Sequence, residues 1–497
     1  MPCLLGIDLG TQSVKSLVLD DQGAVRAVAQ AEYPILTPEV GLAEQDPQTW
    51  WKATCDTVQR AIAQANIAEA DIKGVGLSGQ MHGTVCIDRE GHPVRNAIIW
   101  ADGRSASEVD QLVADIGRER LASLTANPVA TGFMAATARW LLRHEHDTLW
   151  HTNSLLLPKD YLRMRLTRQV ATDVTDAAST LLFDVANRRW SDEMVGLVGI
   201  DPALLPRVVE SQEICGTVTR KAARDTGIPL GTPVVAGGGD QPVGALGNGV
   251  LDPGTILATI GTGGQLFTPL DTPAHDPQLR THTFCHAVPG RWFAMGAILC
   301  AGLSLRWLRD QLFGGLGLDY DALTAEADDV EPGAEGVVFL PYLLGERTPH
   351  MDARARGVFF GLALRHERRH LIRAVLEGVA FAMRDSLEIF RSFGVDATRI
   401  IAAGGGAQST VWRQILADVL GAPLVQVTTK EPAACGAAML AGVGVGVFPS
   451  IEHAAERTVH LSSATDPIAD NVDRYTQRHA AFHSLYPRLK DAYRELS

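Results

Sequence analysis

Apolar runs of strand length alternate with helical periodicities along this chain, and one arrangement occurs twice. Residues 4–9 form an apolar strand that carries Asp8 inside it, runs into the turn Gly10-Thr11 and continues in a second apolar stretch over 14–19. About half the chain later, residues 257–260 run into Gly261-Thr262 and a second stretch at 265–268. Between these hairpins the pattern predicts a helix opening at Asp46 with Pro47 in its first position. Strands follow over 72–77 and 84–87, then a mostly helical insertion from about 103 to 186 that walls the cleft. Residues 233–240 read as a strand leaving the first half through three glycines into Asp240. The second half repeats the plan, with a strand over 292–295, a helix near Gly302, a long helix over 370–393, and a strand over 400–403. That strand runs into Gly404-Gly405-Gly406 and a helix over 412–420, and a terminal helix follows from about 466. Mixed strands and helices predict an α/β fold. The repeat predicts two duplicated domains, 1–247 and 248–497, flanking a central cleft.

Length agrees with two cores, because 497 residues exceed what one core usually holds. A net charge of −13 argues against nucleic acid, whose binders cluster Lys and Arg on one face. The one basic cluster, 365–370, reads as a solvated surface. Seven scattered cysteines without Cys-x-x-Cys spacing predict reduced thiols and a cytoplasmic location. No secretory signal and no membrane-length apolar run is expected.

Chemistry collects at a few positions. A carboxylate inside a buried strand costs several kcal/mol unless compensated, and a bound cation is the usual compensation. Asp8 is therefore the expected Mg²⁺ residue. Asp240, at another strand end among glycines, is the expected general base, the bland alternative being an N-cap on a helix starting at Pro242. Gly-Thr turns leave backbone N–H groups open to phosphate oxygens, which assigns Gly10, Thr11, Gly261 and Thr262 to a nucleotide. Gly405 and Gly406 suit its ribose, α-phosphate or base. The loop Ser78-Gly79-Gln80-Met81-His82-Gly83 offers apolar and imidazole contacts to a polyol. His282 and His286 have the look of a metal pair, but i and i+4 on a strand lie too far apart to share an ion.

With these residues assembled, the chain resembles the FGGY family of carbohydrate kinases, over essentially its whole length. The residues that carry the resemblance are Gly357-Val358-Phe359-Phe360-Gly361-Leu362 followed by His370-Leu371 and Ala374 to Gly378. Within that family the run at 78–83, Leu157 to Leu162 and Gly345 to His350 look like the xylulokinase subfamily. The resemblance implies two actin-like, ribonuclease-H-like ATPase domains, and ATP-dependent phosphorylation of the terminal hydroxyl of a small ketose, D-xylulose first. Ribulose, a pentitol or gluconate is the alternative substrate, and a non-catalytic nucleotide-binding module the remote alternative. It implies Asp240 as base, Asp8 for metal, Gln80, Met81, His82, Trp100, Asp102 and Gln241 beside the sugar, and Gly302 at the nucleotide. It also suggests a homodimer. The chain departs from the family pattern at Thr137 (commonly Lys), Gly263 (Ser), Ala101 (Asn) and Gln241 (Asn).

Overall fold

The structure, a computed structural model, describes residues 1–495. An antiparallel meander opens it: β1 (Cys3–Leu9), β2 (Ser13–Asp20) and β3 (Val25–Glu32). β4 (Ile72–Gly79) runs parallel to β1, and β5 (Ile214–Thr217), β6 (Pro233–Val235) and β7 (Gly238–Gly239) complete a seven-stranded sheet. Its order is β5-β6-β4-β1-β2-β3, with β7 also on β4. A second seven-stranded sheet contains β8 (Thr255–Ile260), β9 (Gly264–Leu270), β10 (His282–Cys285), β11 (Trp292–Ile298), β12 (Arg399–Ala403), β13 (Leu424–Val427) and β14 (Leu461–Thr465). Its order is β10-β11-β9-β8-β12-β13-β14. The antiparallel run β1-β2-β3 matches β8-β9-β11, and the parallel run β1-β4-β6 matches β8-β12-β13. An antiparallel edge strand, β5 or β14, closes each sheet. The duplication expected from the two Gly-Thr hairpins is present in six strands of each sheet, with β7 and β10 lacking counterparts.

The central strands are apolar because both of their faces are covered. α1 (Pro47–Ala65) covers β2 and β3 with Trp50, Trp51, Val58 and Ile62, and the Asp46 carboxylate accepts the Gln48 N–H at its start. The helices Ala106–Ile116, Arg118–Thr125 and Met134–His144 form the insertion. It ends earlier than the pattern suggests. α2 (Pro158–Thr167) buries Tyr161, Leu162, Met164 and Leu166 in the core of the first sheet, and its charges can be buried there because they are paired internally. α3 (Val174–Ser179) follows, and α4 (Asp240–Gly247) begins at Asp240 itself. Gly239 holds the cap position, so Asp240 does not cap a helix from Pro242.

In the second half α5 (Gly302–Trp307), α6 (Arg368–Ser392) and α7 (Thr410–Leu420) occupy the expected stretches. α8 (Pro432–Gly444) follows β13 but packs on β1, β4 and α4 of the first half. A Cβ at Gly6 would lie 1.9 Å from the Ala434 carbonyl oxygen, and one at Gly436 would lie 2.0 Å from that of Val243. Only glycine permits so close a backbone approach. α9 (Ala469–Glu495) packs across α6 and α7. Among the described residues no helix is long and apolar enough to cross a membrane.

Candidate active site

Three neighbouring strand ends assemble the acids. Asp8 near the end of β1 is in register with Ser78 of β4, and Gly238 and Gly239 of β7 pair with Ser78 and Gly79, so Asp240 emerges beside them. Ser78 Oγ donates to Asp8 Oδ1 at 2.9 Å, and no partner among the described residues takes the other oxygen. Burial pushes the Asp8 pKa up, against the Ser78 hydrogen bond and the Lys15 charge. Lys15 itself is paired with Glu431 at 2.5 Å. A half-buried carboxylate with an uncommitted oxygen and no bonded cation fits a divalent ion. Asp240 is pushed up to about 7, by burial first and then by the charge of Asp8, while hydrogen bonds from Gln241 pull it back. The two acids thus share one electrostatic site, and Gln241 hydrogen-bonds Asp240.

Thr11 and Trp100 meet next to Asp8, with the indole Nε1–H donating to Thr11 Oγ1 at 2.9 Å. Trp100 is 38% exposed. Gly10 precedes this contact, and its carbonyl accepts the Tyr33 hydroxyl. Asp102 is placed differently from the expectation. Its Oδ2 accepts from Ala43 N (2.6 Å) and Arg104 Nη2 (2.9 Å), and its Oδ1 from Arg104 N (2.9 Å) and Nε (2.8 Å). Each oxygen already holds two bonds, so the buried carboxylate fixes the loop and leaves nothing for a sugar.

The 78–83 run divides its labour. Met81 is buried under β7, where a Cβ at Gly239 would lie 2.6 Å from Met81 Cγ. Gln80 is buried too, donating its amide to Gln45 Oε1 at 2.8 Å, while its own Oε1 has no partner among the described residues. His82 adopts a left-handed backbone (φ 72°) and stacks on Phe133 with ring centroids 3.8 Å apart. Its Nδ1 lies 2.9 Å from the Ser179 carbonyl oxygen, so Nδ1 carries the hydrogen and Nε2 presents a lone pair. Burial lowers its pKa to about 4, with the Arg347 charge adding to the effect, and the ring is neutral at physiological pH.

Gly261, Thr262, Gly302, Gly405 and Gly406 line one cavity of about 370 Å³. A Cβ at Gly405 would meet nothing within 4 Å, whereas one at Gly263 would lie 2.8 Å from the Ile298 carbonyl oxygen. The missing hydroxyl at 263 therefore goes with tight packing of the turn on β11. Thr137 is buried in the insertion.

Several residues escaped sequence reasoning. Phe133 backs His82, and His282 on β10 stacks with Phe284 and bonds Asn127 Oδ1 at 3.1 Å. His282 is thus an aromatic wall contributed by the second half, a role that its spacing to His286 disguised. Glu346, within a segment noted only for resemblance, is pushed up to about 8 by burial and accepts Leu299 N at 3.0 Å, three residues before Gly302.

Comparison with known proteins shows the family. Residues 3–247 match the FGGY family of carbohydrate kinases, N-terminal domain, and residues 256–445 match the C-terminal domain of the same family. A xylulose kinase of Escherichia coli (strain K12) is 38% identical over 98% of this chain and 99% of its own. One of Bacillus subtilis (strain 168) is 34% identical over 99% and 98%. A solved xyloylose kinase from Brucella ovis superposes with a TM-score of 0.92 at 35% identity, covering 99% of this chain and all of the other.

Proposed function

This chain belongs to the FGGY family of carbohydrate kinases, and on that premise we propose that it transfers the γ-phosphoryl group of ATP to the terminal hydroxyl of D-xylulose. The observation that supports the reading is the Asp8–Asp240 pair, carried at strand ends on either side of β4 and close enough for the charge of one to raise the pKa of the other. The choice of D-xylulose rests on the full-length likeness to proteins so named.

The sugar lies with its terminal hydroxyl at Asp240 and another hydroxyl donating to His82 Nε2. The hydroxyl oxygen attacks the γ-phosphorus, the bond to the β-phosphate oxygen breaks, and ADP leaves. Asp240 accepts the hydroxyl proton, late, because a loose transition state asks little of the nucleophile. Gly10 and Thr11 cradle phosphate oxygens from the first half, and Gly261, Thr262, Gly302, Gly405 and Gly406 hold the nucleotide from the second. Asp8 would hold Mg²⁺, which when bound supplies positive charge to the phosphates. Enclosure between the halves aligns the reactants and excludes competing water.

A coupled ADP-release assay over D-xylulose, ribulose, a pentitol and gluconate tests the reading. D-Xylulose should give the highest kcat/KM. A higher value for another sugar would replace the substrate, and ADP formation indifferent to every sugar would overturn the activity.

A further inference from the structure

Beneath the site lies a set of charges that touches no part of the proposed substrate positions. Lys159, Asp160, Arg163, Asp173 and Asp176 are all fully buried. Lys159 Nζ lies 2.6 Å from Asp160 Oδ1, 2.8 Å from Asp173 Oδ1 and 3.1 Å from Asp176 Oδ2. Arg163 Nη1 reaches Asp160 Oδ1 at 2.8 Å and the Ala236 carbonyl at 2.9 Å. The three carboxylates are close enough to suit a metal ion, but the ammonium group already stands among them. Burial pulls the Lys159 pKa down, and the three carboxylates outweigh it and raise it, so the lysine stays charged. Such networks are costly to desolvate, and apolar side chains often hold a core equally well. Stability alone is a poor reason for this one.

The geometry offers a better reason. Asp173 Oδ2 accepts Thr175 N at 2.7 Å and Thr175 Oγ1 at 2.6 Å. With its hydrogen so committed, Thr175 Oγ1 accepts the Gly239 N–H at 2.9 Å, and Gly239 is the residue before Asp240. At the far end of the same short helix, α3, Ser179 Oγ accepts the His82 N–H at 3.3 Å and the Ser179 carbonyl accepts from Nδ1. One helix therefore clamps the strand that delivers the base and the loop that faces the sugar. Its first turn is anchored to the buried lysine through Asp173.

We propose that Lys159, Asp173 and Thr175 are positioning residues for phosphoryl transfer, fixing the Gly239 amide so that Asp240 and His82 keep a set separation. The proposal rests on reading Asp240 as the base. It gives the buried charges of the 157–162 segment a purpose. Side chains that lock a catalytic geometry matter through distance, and a displacement of about 1 Å can cost about 10²-fold in rate.

The test compares full-length Thr175→Val, which keeps shape and removes the hydroxyl, with Thr175→Ser, which keeps the hydroxyl. Turnover with D-xylulose, KM for ATP, melting temperature, and hydrogen–deuterium exchange of the 236–247 peptide are read together. Thr175→Val should lower kcat by about 10²-fold with KM for ATP unchanged and exchange of that peptide accelerated, and Thr175→Ser should restore both. Wild-type turnover and exchange in Thr175→Val would overturn the proposal. So would equal damage in Thr175→Ser, or a lowered melting temperature with kcat intact. Should the wild type phosphorylate no sugar, the proposed function fails, while the exchange comparison still decides whether Thr175 holds the strand.

Discussion

Asp240 sits where its neutral form is favoured, and that has a cost in stability as well as a use in chemistry. Its pKa is pushed up to about 7 by burial and by Asp8, against about 4 for an ordinary aspartate. The folded chain therefore keeps a proton that the unfolded chain releases. The associated stabilisation is complete below pH ~4 and is lost as pH rises through about 7. At about 1.4 kcal/mol per pH unit, the loss by neutral pH is at most roughly 4 kcal/mol. Asp240→Asn should then raise the melting temperature more at pH 8 than at pH 5, while turnover falls by about 10²–10⁴-fold. Scanning calorimetry at the two pH values, beside the ADP assay, checks both halves. An equal thermal gain at both values, or retained turnover, would remove Asp240 from the role. The same shift predicts that kcat/KM declines as pH falls below about 7. His82, lowered to about 4, titrates elsewhere, so His82→Gln should leave that limb in place. Asp8 and Asp240 were legible in the sequence because a carboxylate ending an apolar strand is conspicuous. Asp102 misled because nothing local announces that the distant Ala43 N joins Arg104, two residues on, in taking up its oxygens.

At the scale of elements, glycines separate two functions by what a methyl group would meet. Gly405 opens onto empty space in the cavity proposed for the nucleotide, so Gly405→Ala should raise KM for ATP and leave the melting temperature unchanged. Gly436 faces the Val243 carbonyl across the α4–α8 contact, so Gly436→Ala must push the helices apart. Overpacking of this kind costs about 1–3 kcal/mol, and thermal denaturation of the pair of variants should show the contrast. Strands, hairpins and the first helix could be read directly because their signals are local: apolar runs, glycine turns, the capping residue Asp46. The burial of α2 could not, since Lys159, Asp160 and Arg163 mimic a surface face while pairing inside. The crossing of α8 was equally hidden. A Gly- and Ala-rich stretch, Pro432-Ala433-Ala434-Cys435-Gly436, marks no face, and its partners lie hundreds of residues away.

For the whole molecule, the sequence disclosed the repeat but not how the halves exchange cover. Leu4, Leu17, Leu19 and Val235 of the first half share a core with Ala434 to Ala441 of the second. Residues 1–247 produced alone should therefore expose an apolar sheet face, bind a hydrophobic dye and aggregate, where the full chain stays dispersed. A well-folded, monomeric fragment would show that α8 is dispensable to that sheet. The arrangement also has a temporal side. A ribosome finishes the first sheet about 200 residues before it finishes α8, a delay of roughly 10–40 s at 5–20 residues per second. Throughout that interval the nascent chain carries an uncovered greasy surface. Its yield in the cell should thus depend on chaperone capacity, and a circular permutant that synthesises the second half first should relieve that dependence.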